Sequence, residues 1–386
     1  MGTVIHAARL VGSGCPEAGD AGWVRFENGE VAAIGSGALT PSAIAHGDEV
    51  IDASALASGA TLVPGFVDIH GHGGAGFAHE DGPDAVIAAR AAHRAHGTTS
   101  AVVSLVTADI DTLAARAAMI AGLVGPEHGV LGSHLEGPFL DPGHCGAHDP
   151  ELLRDPAPDD VARLLDAGAG TVRQVTIAPE RTGGYEAIAQ IVAAGAVAAV
   201  GHTDADADAT ARAVDRGASV LTHAFNAMRG IHHRAPGPIP TAARDPRVTL
   251  ELICDGVHVS PDVMRMLFLS APGRVALITD AMAATGMPDG EYILGTLDVV
   301  VDQGVPRVRA TGAIAGSTLT QDLALRNAVA FGVPLPDAVA ALTSIPAAAV
   351  GAEGVGTLAP GARADAVLLD ADLRVRAVWA NGARAV

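Results

Sequence analysis

The sequence predicts a (β/α)8 TIM-like barrel carrying a small β-sandwich domain formed by both chain ends. Three observations point there. Eight short apolar runs alternate with helix-like segments between residues 60 and 349. Turn-punctuated strand-like pieces occupy residues 1–59 and return over residues 350–386. Histidine and carboxylate residues recur where the apolar runs end.

The chain ends come first. Val4 to Val11, Gly22 to Ile34 and Glu49 to Ile51 read as strands without helical period, and Ala364 to Asp370 and Val375 to Trp379 follow the turn-rich Gly351 to Gly361. Either set alone has too few strands to be stable in water. The expectation is therefore one β domain, residues 1–59 plus 350–386, flanking a central domain over 60–349.

Within the central part the predicted strands are Thr61 to His70, Thr98 to Leu105, Val130 to Glu136, Gln174 to Ala178, Val197 to His202, Ser219 to His223, Thr249 to Cys254 and Val275 to Asp280. Helical segments between them include Pro83 to His96, Ile110 to Leu123, Asp159 to Leu165, Tyr185 to Ala194, Asp206 to Arg216 and Pro261 to Ser270. A doubly wound open sheet is the alternative, but no G-x-G-x-x-G opens the first turn. The run Asp204-Ala-Asp-Ala-Asp208 reads as a helix N-terminus complementing the dipole. Tyr292 to Val308 reads as two strand-like pieces around the turn Asp302-Gln-Gly304. Leu319 to Phe331 and Leu335 to Ala341 are the helices that close the barrel.

Composition narrows the function. With 386 residues, 49% of them hydrophobic, the chain can bury a large core. A formal charge of −19 with no basic run argues against nucleic acid or an anionic membrane as partner. Every basic residue is arginine, so a Schiff-base lysine, a P-loop lysine and a carbamylated metal-bridging lysine are all excluded. Three scattered cysteines, Cys15, Cys145 and Cys254, suit a reducing compartment. The N-terminus lacks a signal-peptide pattern, and no apolar run is long enough to span a membrane. These features make the cytoplasm the expected location.

The chemistry gathers at strand ends. The first apolar run closes on His70-Gly-His72, whose side chains share one side of a strand and can converge on one ion. Glu136, His202, His223 and Asp280 stand at equivalent ends of later strands, and in a barrel those ends meet on one face. One histidine at such a position is ordinarily structural; metal-type side chains at five equivalent strand ends point to a metal centre. Nitrogen and carboxylate donors suit zinc, iron or manganese better than calcium. The lack of a cysteine cluster argues for an open, catalytic site. Asp280 could be a further ligand or a helix cap, but beside a site that already has enough ligands it fits a general base better: a divalent cation acidifies water, and a neighbouring carboxylate takes the proton and returns it to a leaving amine. This is the chemistry of amide hydrolysis.

Several motifs then combine: Pro64-Gly-Phe-Val-Asp-Ile-His-Gly-His72, His134-Leu-Glu-Gly-Pro-Phe139 with Gly146-Ala-His148, Gly201-His-Thr203, Thr222-His-Ala-Phe-Asn-Ala-Met228, Ile278-Thr-Asp-Ala-Met282 and Gly312 to Thr318. Together they resemble the N-acetylglucosamine-6-phosphate deacetylases of the amidohydrolase superfamily, over nearly the whole chain. The first motif marks the superfamily; the Leu-Glu-Gly-Pro and His-x-Phe-Asn-Ala-Met pair is the specific part.

The resemblance implies that Glu136, His202 and His223 hold a divalent metal, most simply Zn with Fe or Mn as alternatives, and that Asp280 is the acid/base. The His70–His72 pair implies a second ion, giving one or two per chain; without lysine, a second ion would be bridged by Glu136 or by water. The substrate is expected against Ala147, His148, Asn226, Ala227, Arg234, His258 and Ile314. His148 would polarise the acetyl carbonyl or bind a sugar hydroxyl, Asn226 offers donors and acceptors to the sugar, and Arg234 suits the 6-phosphate. The resemblance also implies a homodimer with Arg234 and His258 near the interface. Cys145 departs from the expected loop as a bland residue, an interfering thiol or a lid contact. The partner is then a small amino-sugar phosphate, N-acetylglucosamine 6-phosphate or alternatively N-acetylgalactosamine 6-phosphate. A rival of another class is a non-catalytic sugar-phosphate-binding barrel.

Overall fold

The computed structural model describes residues 2–16 and 21–386; Met1 and residues 17–20, which fall in the expected 1–59 segment, lie outside the described residues. Eight parallel strands form the central sheet: β1 (Phe66–Asp68), β2 (Thr98–Val106), β3 (Val130–Glu136), β4 (Val172–Ile177), β5 (Val197–Val200), β6 (Val220–Leu221), β7 (Thr249–Ile253) and β8 (Val275–Ile278). They pair in sequence order, as right-handed βα units dictate. The ring closes beyond the paired strands, where the Asp280 N–H donates to the His70 carbonyl at 2.8 Å and the His72 N–H to Ala281 O at 2.7 Å.

The helices around it are α1 (Pro83–Ala95), α2 (Ile110–Ala121), α3 (Pro158–Ala167), α4 (Gly184–Ala193), α5 (Ala207–Asp215), α6 (Pro238–Arg244), α7 (Pro261–Ser270) and α8 (Gln321–Ala330), followed by Leu335–Leu342 and Ser344–Ala349. Each lays an apolar stripe on the strands; Leu113, Ala117 and Ile120 of α2 are fully buried, one helical turn apart. Asp206 caps α5 by accepting from the Ala209 N–H at 2.8 Å, so the acidic run does begin a helix. The sequence reading leaves α6 as loop. Its Gly237-Pro238-Ile-Pro240 start suggests a break, yet proline is tolerated in the first helical turn, where no N–H is needed.

The expected first strand, Thr61 to His70, divides. Thr61–Pro64 pairs with Thr3–Leu10 and Ala366–Leu369 of the second sheet, whereas Phe66–Asp68 pairs with β2. Gly65 lies between the two, at a close approach that admits no side chain: a Cβ there would lie 2.2 Å from Thr99 Oγ1. The second sheet is mostly antiparallel and takes strands from both chain ends. Their residues, among them Ile5, Phe26, Leu62, Leu368 and Trp379, share one core. Gly22 to Ile34 is two strands rather than one, turning at Asn28-Gly29 with φ of 52° and 81°, the backbone of a type I′ hairpin. Likewise the segment before Asp302 is itself a hairpin. Gly290–Leu294, Leu297–Asp302 and Val305–Val308 make a three-stranded sheet over the barrel mouth, sharing a small core with Val106 and Met282.

Candidate active site

Glu136 is the last residue of β3, while His70, His202, His223 and Asp280 each stand two residues beyond the end of their strand. The sequence reading treats all of these as strand residues. Past the strand, the backbone is free to turn inward: His202, His223 and Asp280 adopt φ of 47°, 25° and 49°. Such conformations cost about 1–3 kcal/mol each and persist where surroundings enforce them. Here the Asp141 N–H donates to His202 O at 2.9 Å, and the Ser317 N–H to Asp280 O at 2.6 Å. His70 and His72 converge through this turn rather than through strand alternation, their Nε2 atoms 3.2 Å apart. Asp68 stiffens the turn by accepting from Thr279 Oγ1 at 2.6 Å.

Glu136 is the hub. Its Oε1 lies 3.2 Å from His70 Nε2, 3.3 Å from His202 Nε2 and 3.2 Å from His223 Nε2. Its Oε2 lies 3.1 Å from His72 Nε2 and 3.4 Å from His148 Nε2. Asp280 Oδ1 completes the cluster, 3.3 Å from His72 Nε2 and 3.6 Å from His70 Nε2. All of these residues are buried.

This donor set fits a divalent cation. His202 Nδ1 lies 2.9 Å from the His144 carbonyl, which only accepts, so Nδ1 carries the hydrogen and Nε2 of the neutral ring is a bare lone pair. His70 Nδ1 faces the Glu251 carboxylate at 2.9 Å, leaving its Nε2 bare in the same way. Both lone pairs then oppose a carboxylate oxygen in a buried space, an arrangement that requires positive charge between them. Burial disfavours a charged His70, yet Glu136, Glu251 and Asp280 override it and raise its proton affinity well above the usual imidazole range. Burial also opposes ionisation of Glu136, but His70 and the contacts from His148, His202 and His223 hold it well below the usual carboxylate range. Asp280 is lowered too, as the pull of His70 and His72 exceeds the effect of burial. Two compact groups of ligand atoms result, His70–His72–Asp280 and Glu136–His148–His202.

A cavity of 260 Å³ opens over the cluster. Ala147, His148, Asn226, Ala227, His258 and Ile314 line it, together with the ligand-type residues His72, Glu136, His202, His223 and Asp280. Burial lowers the proton affinity of His148 to about 4 despite its contact with Glu136, so at neutral pH it presents an uncharged ring. His258 is fixed by Asp255, which approaches its Nδ1 at 2.6 Å. Arg234 is placed apart: it is exposed on the loop before α6 and does not line this cavity. Cys145 is a half-buried free thiol on the loop between Glu136 and His148.

Two contributors escape the sequence reading. His144 fixes the His202 ring through its backbone carbonyl, which no side-chain pattern signals. Glu251 is a fully buried carboxylate inside β7; one charge within Thr249-Leu-Glu-Leu-Ile253 is the signal that was available.

The Amidohydrolase family model matches residues 61–385. An N-acetylgalactosamine-6-phosphate deacetylase of Escherichia coli O157:H7 is 42% identical, over 83% of this chain and 86% of its own length. An N-acetylglucosamine-6-phosphate deacetylase of Vibrio furnissii is 34% identical, covering 89% and 88% respectively. The structure of an aspartate-to-alanine mutant of N-acetyl-D-glucosamine-6-phosphate deacetylase from Mycobacterium smegmatis, in complex with N-acetyl-D-glucosamine-6-phosphate, superposes with a TM-score of 0.93 at 47% identity, over 100% of this chain and 99% of that one. The chain belongs to the amidohydrolase family, in its group of deacetylases of N-acetylated amino-sugar 6-phosphates.

Proposed function

We propose that this enzyme hydrolyses N-acetylglucosamine 6-phosphate to glucosamine 6-phosphate and acetate. The observation that carries this reading is the buried Glu136 ringed by imidazole nitrogens, with Asp280 on the wall of the cavity above it. Glu136, His202 and His223 would hold a divalent metal, with His70 and His72 available for a second; zinc is the metal we favour, ahead of iron or manganese. When bound, such a cation acidifies water and draws electron density from a carbonyl oxygen.

The chain's own groups do the rest. Asp280 takes the proton of the attacking water as the water oxygen bonds to the acetyl carbon. It returns that proton to the sugar nitrogen as the C–N bond breaks and acetate departs. His148, uncharged and on the cavity wall, aids the carbonyl oxygen where negative charge develops. Asn226, Ala227, Ala147 and Ile314 orient the sugar. Arg234, exposed and outside the cavity of its own chain, serves the 6-phosphate of the partner's site across a homodimer interface, where His258 lines the cavity. Locally positive charge is needed because the chain as a whole carries −19. The three free cysteines support a reducing, cytoplasmic setting.

A second reading, N-acetylgalactosamine 6-phosphate as substrate, is favoured by the 42% identity to the E. coli enzyme. Acetate release from both sugar phosphates and their unphosphorylated parents, with metal content measured on the same sample, tests these readings. No acetate from any of them with zinc, iron or manganese supplied would leave only a binding protein.

A further inference from the structure

Glu251 has no part in the mechanism above. It sits in β7, its side chain entirely buried, and it does not line the cavity. Its Oε2 accepts from His70 Nδ1 at 2.9 Å and from the His223 backbone N–H at 3.2 Å, while Oε1 accepts from Gln174 Nε2, on β4, at 2.7 Å. One carboxylate thus holds the ring of one site histidine and the main chain of another.

Packing alone does not explain it. The neighbouring residues Leu250, Leu252 and Ile253 are apolar and fully buried, and an aliphatic side chain would fill the same interior without desolvating a charge. Nor is another partner at hand for the His70 ring. His134 packs edge-on against it at 4.5 Å, but its nitrogens are engaged by Ser104 Oγ and Thr176 Oγ1, each at 2.8 Å. The ligand-type histidines differ in this respect. His202 Nδ1 bonds a neutral carbonyl, and the Nδ1 atoms of His72 and His223 have no partner among the described residues. Of these four, only His70 is backed by a carboxylate, an arrangement that fixes the tautomer of a ligating imidazole and makes it a stronger donor.

We propose that Glu251 is a positioning residue for the divalent-metal centre, setting His70 with its Nε2 lone pair towards Glu136 and Asp280 and anchoring the turn at His223. The inference rests on the reading that this cluster holds a metal. Gln174 belongs to the same device, since its amide holds the far oxygen of Glu251 while making no hydrogen bond to a ligand-type side chain among the described residues.

The test is a Zn²⁺ titration of chelator-stripped protein against a chromophoric competitor, with a parallel Co²⁺ titration read by visible absorption. Glu251→Gln should bind Zn²⁺ about 10- to 100-fold more weakly and show altered Co²⁺ bands, while its metal-free circular dichroism matches the wild type. Gln174→Met, which leaves the carboxylate in place, should show a smaller loss of the same kind, and it decides the matter if Glu251→Gln does not fold. Wild-type affinity and spectrum in a folded variant overturn the role of Glu251 while leaving the metal centre intact. A wild-type protein that takes up neither ion overturns the metal reading, and this inference with it.

Discussion

His202 Nε2 and His223 Nε2 lie 2.9 Å apart, and both face Glu136 Oε1, at 3.3 and 3.2 Å. The two rings arrive from neighbouring strands, β5 and β6, each swung inward by a left-handed residue just past the strand end. With His202 Nδ1 committed to the His144 carbonyl, its inward nitrogen has no hydrogen to share. The site is therefore built to surround positive charge.

Metal removal should destabilise the fold, because the facing lone pairs and carboxylates lose the charge that reconciles them. A ligand that binds only the folded state, at 100 times its dissociation constant, adds about 2.7 kcal/mol. Adding Zn²⁺ to chelator-stripped protein should accordingly raise the melting temperature in differential scanning fluorimetry. An unchanged melting curve at saturating Zn²⁺ would count against a metal at this site.

Asp280→Asn should reduce acetate release by about 10²- to 10⁴-fold, the usual contribution of a positioned general acid/base. Asp280 pairs with His72 and His70, and no pairing with His202 or His223 is found among the described residues, so an ion held by Glu136, His202 and His223 should remain bound. Near-normal turnover by a metal-loaded variant would remove Asp280 from the proton-transfer role.

Much of this was readable from the residues, and the exceptions share physical causes. Alternating apolar runs and helical segments are local signals, so all eight barrel strands and most helices follow from them. Thr61 to His70 misleads because one continuous apolar run serves two sheets, changing pairing partners at Gly65. At the site, His70, His72, Glu136, His202, His223 and Asp280 stand out because metal-type side chains recur at equivalent places in five of the eight βα units. Glu251 interrupts an apolar strand without recurring, and its partners lie 181 and 77 residues away; nothing local links them. Arg234 is exposed, and an exposed arginine carries no sequence signal beyond the resemblance that singled it out.

Arg234→Ala should separate phosphorylated from unphosphorylated substrates. A hydrogen bond to a charged group contributes roughly 1.5–3 kcal/mol, so kcat/KM for N-acetylglucosamine 6-phosphate should fall roughly 10- to 100-fold. N-acetylglucosamine itself should be nearly unaffected, and the folded stability unchanged, since the side chain is solvated. Equal losses on both sugars would show that Arg234 does not serve the phosphate.

Acid should destabilise the protein partly through His93, away from the cavity. This residue of α1 is buried, its Nε2 lies 2.8 Å from the Gly73 carbonyl, and its Nδ1 has no partner among the described residues. The carbonyl only accepts, so Nε2 carries the hydrogen, and protonation would place a second N–H where nothing receives it. Burial, reinforced by Arg90, lowers the proton affinity of His93 from 6.5 to about 4. The sign follows from linkage. Above pH 6.5 the ring is neutral in both folded and unfolded chains and contributes no pH dependence. Between 6.5 and 4 the unfolded chain binds a proton that the folded one refuses, so stability falls as pH falls, by about 3 kcal/mol for the whole interval. His93→Gln keeps a donor for Gly73 and removes the titration. Urea unfolding of metal-stripped protein at about pH 7.5 and about pH 5 should therefore show a smaller drop for the variant than for the wild type. Equal drops would mean that His93 is not a group through which acid acts.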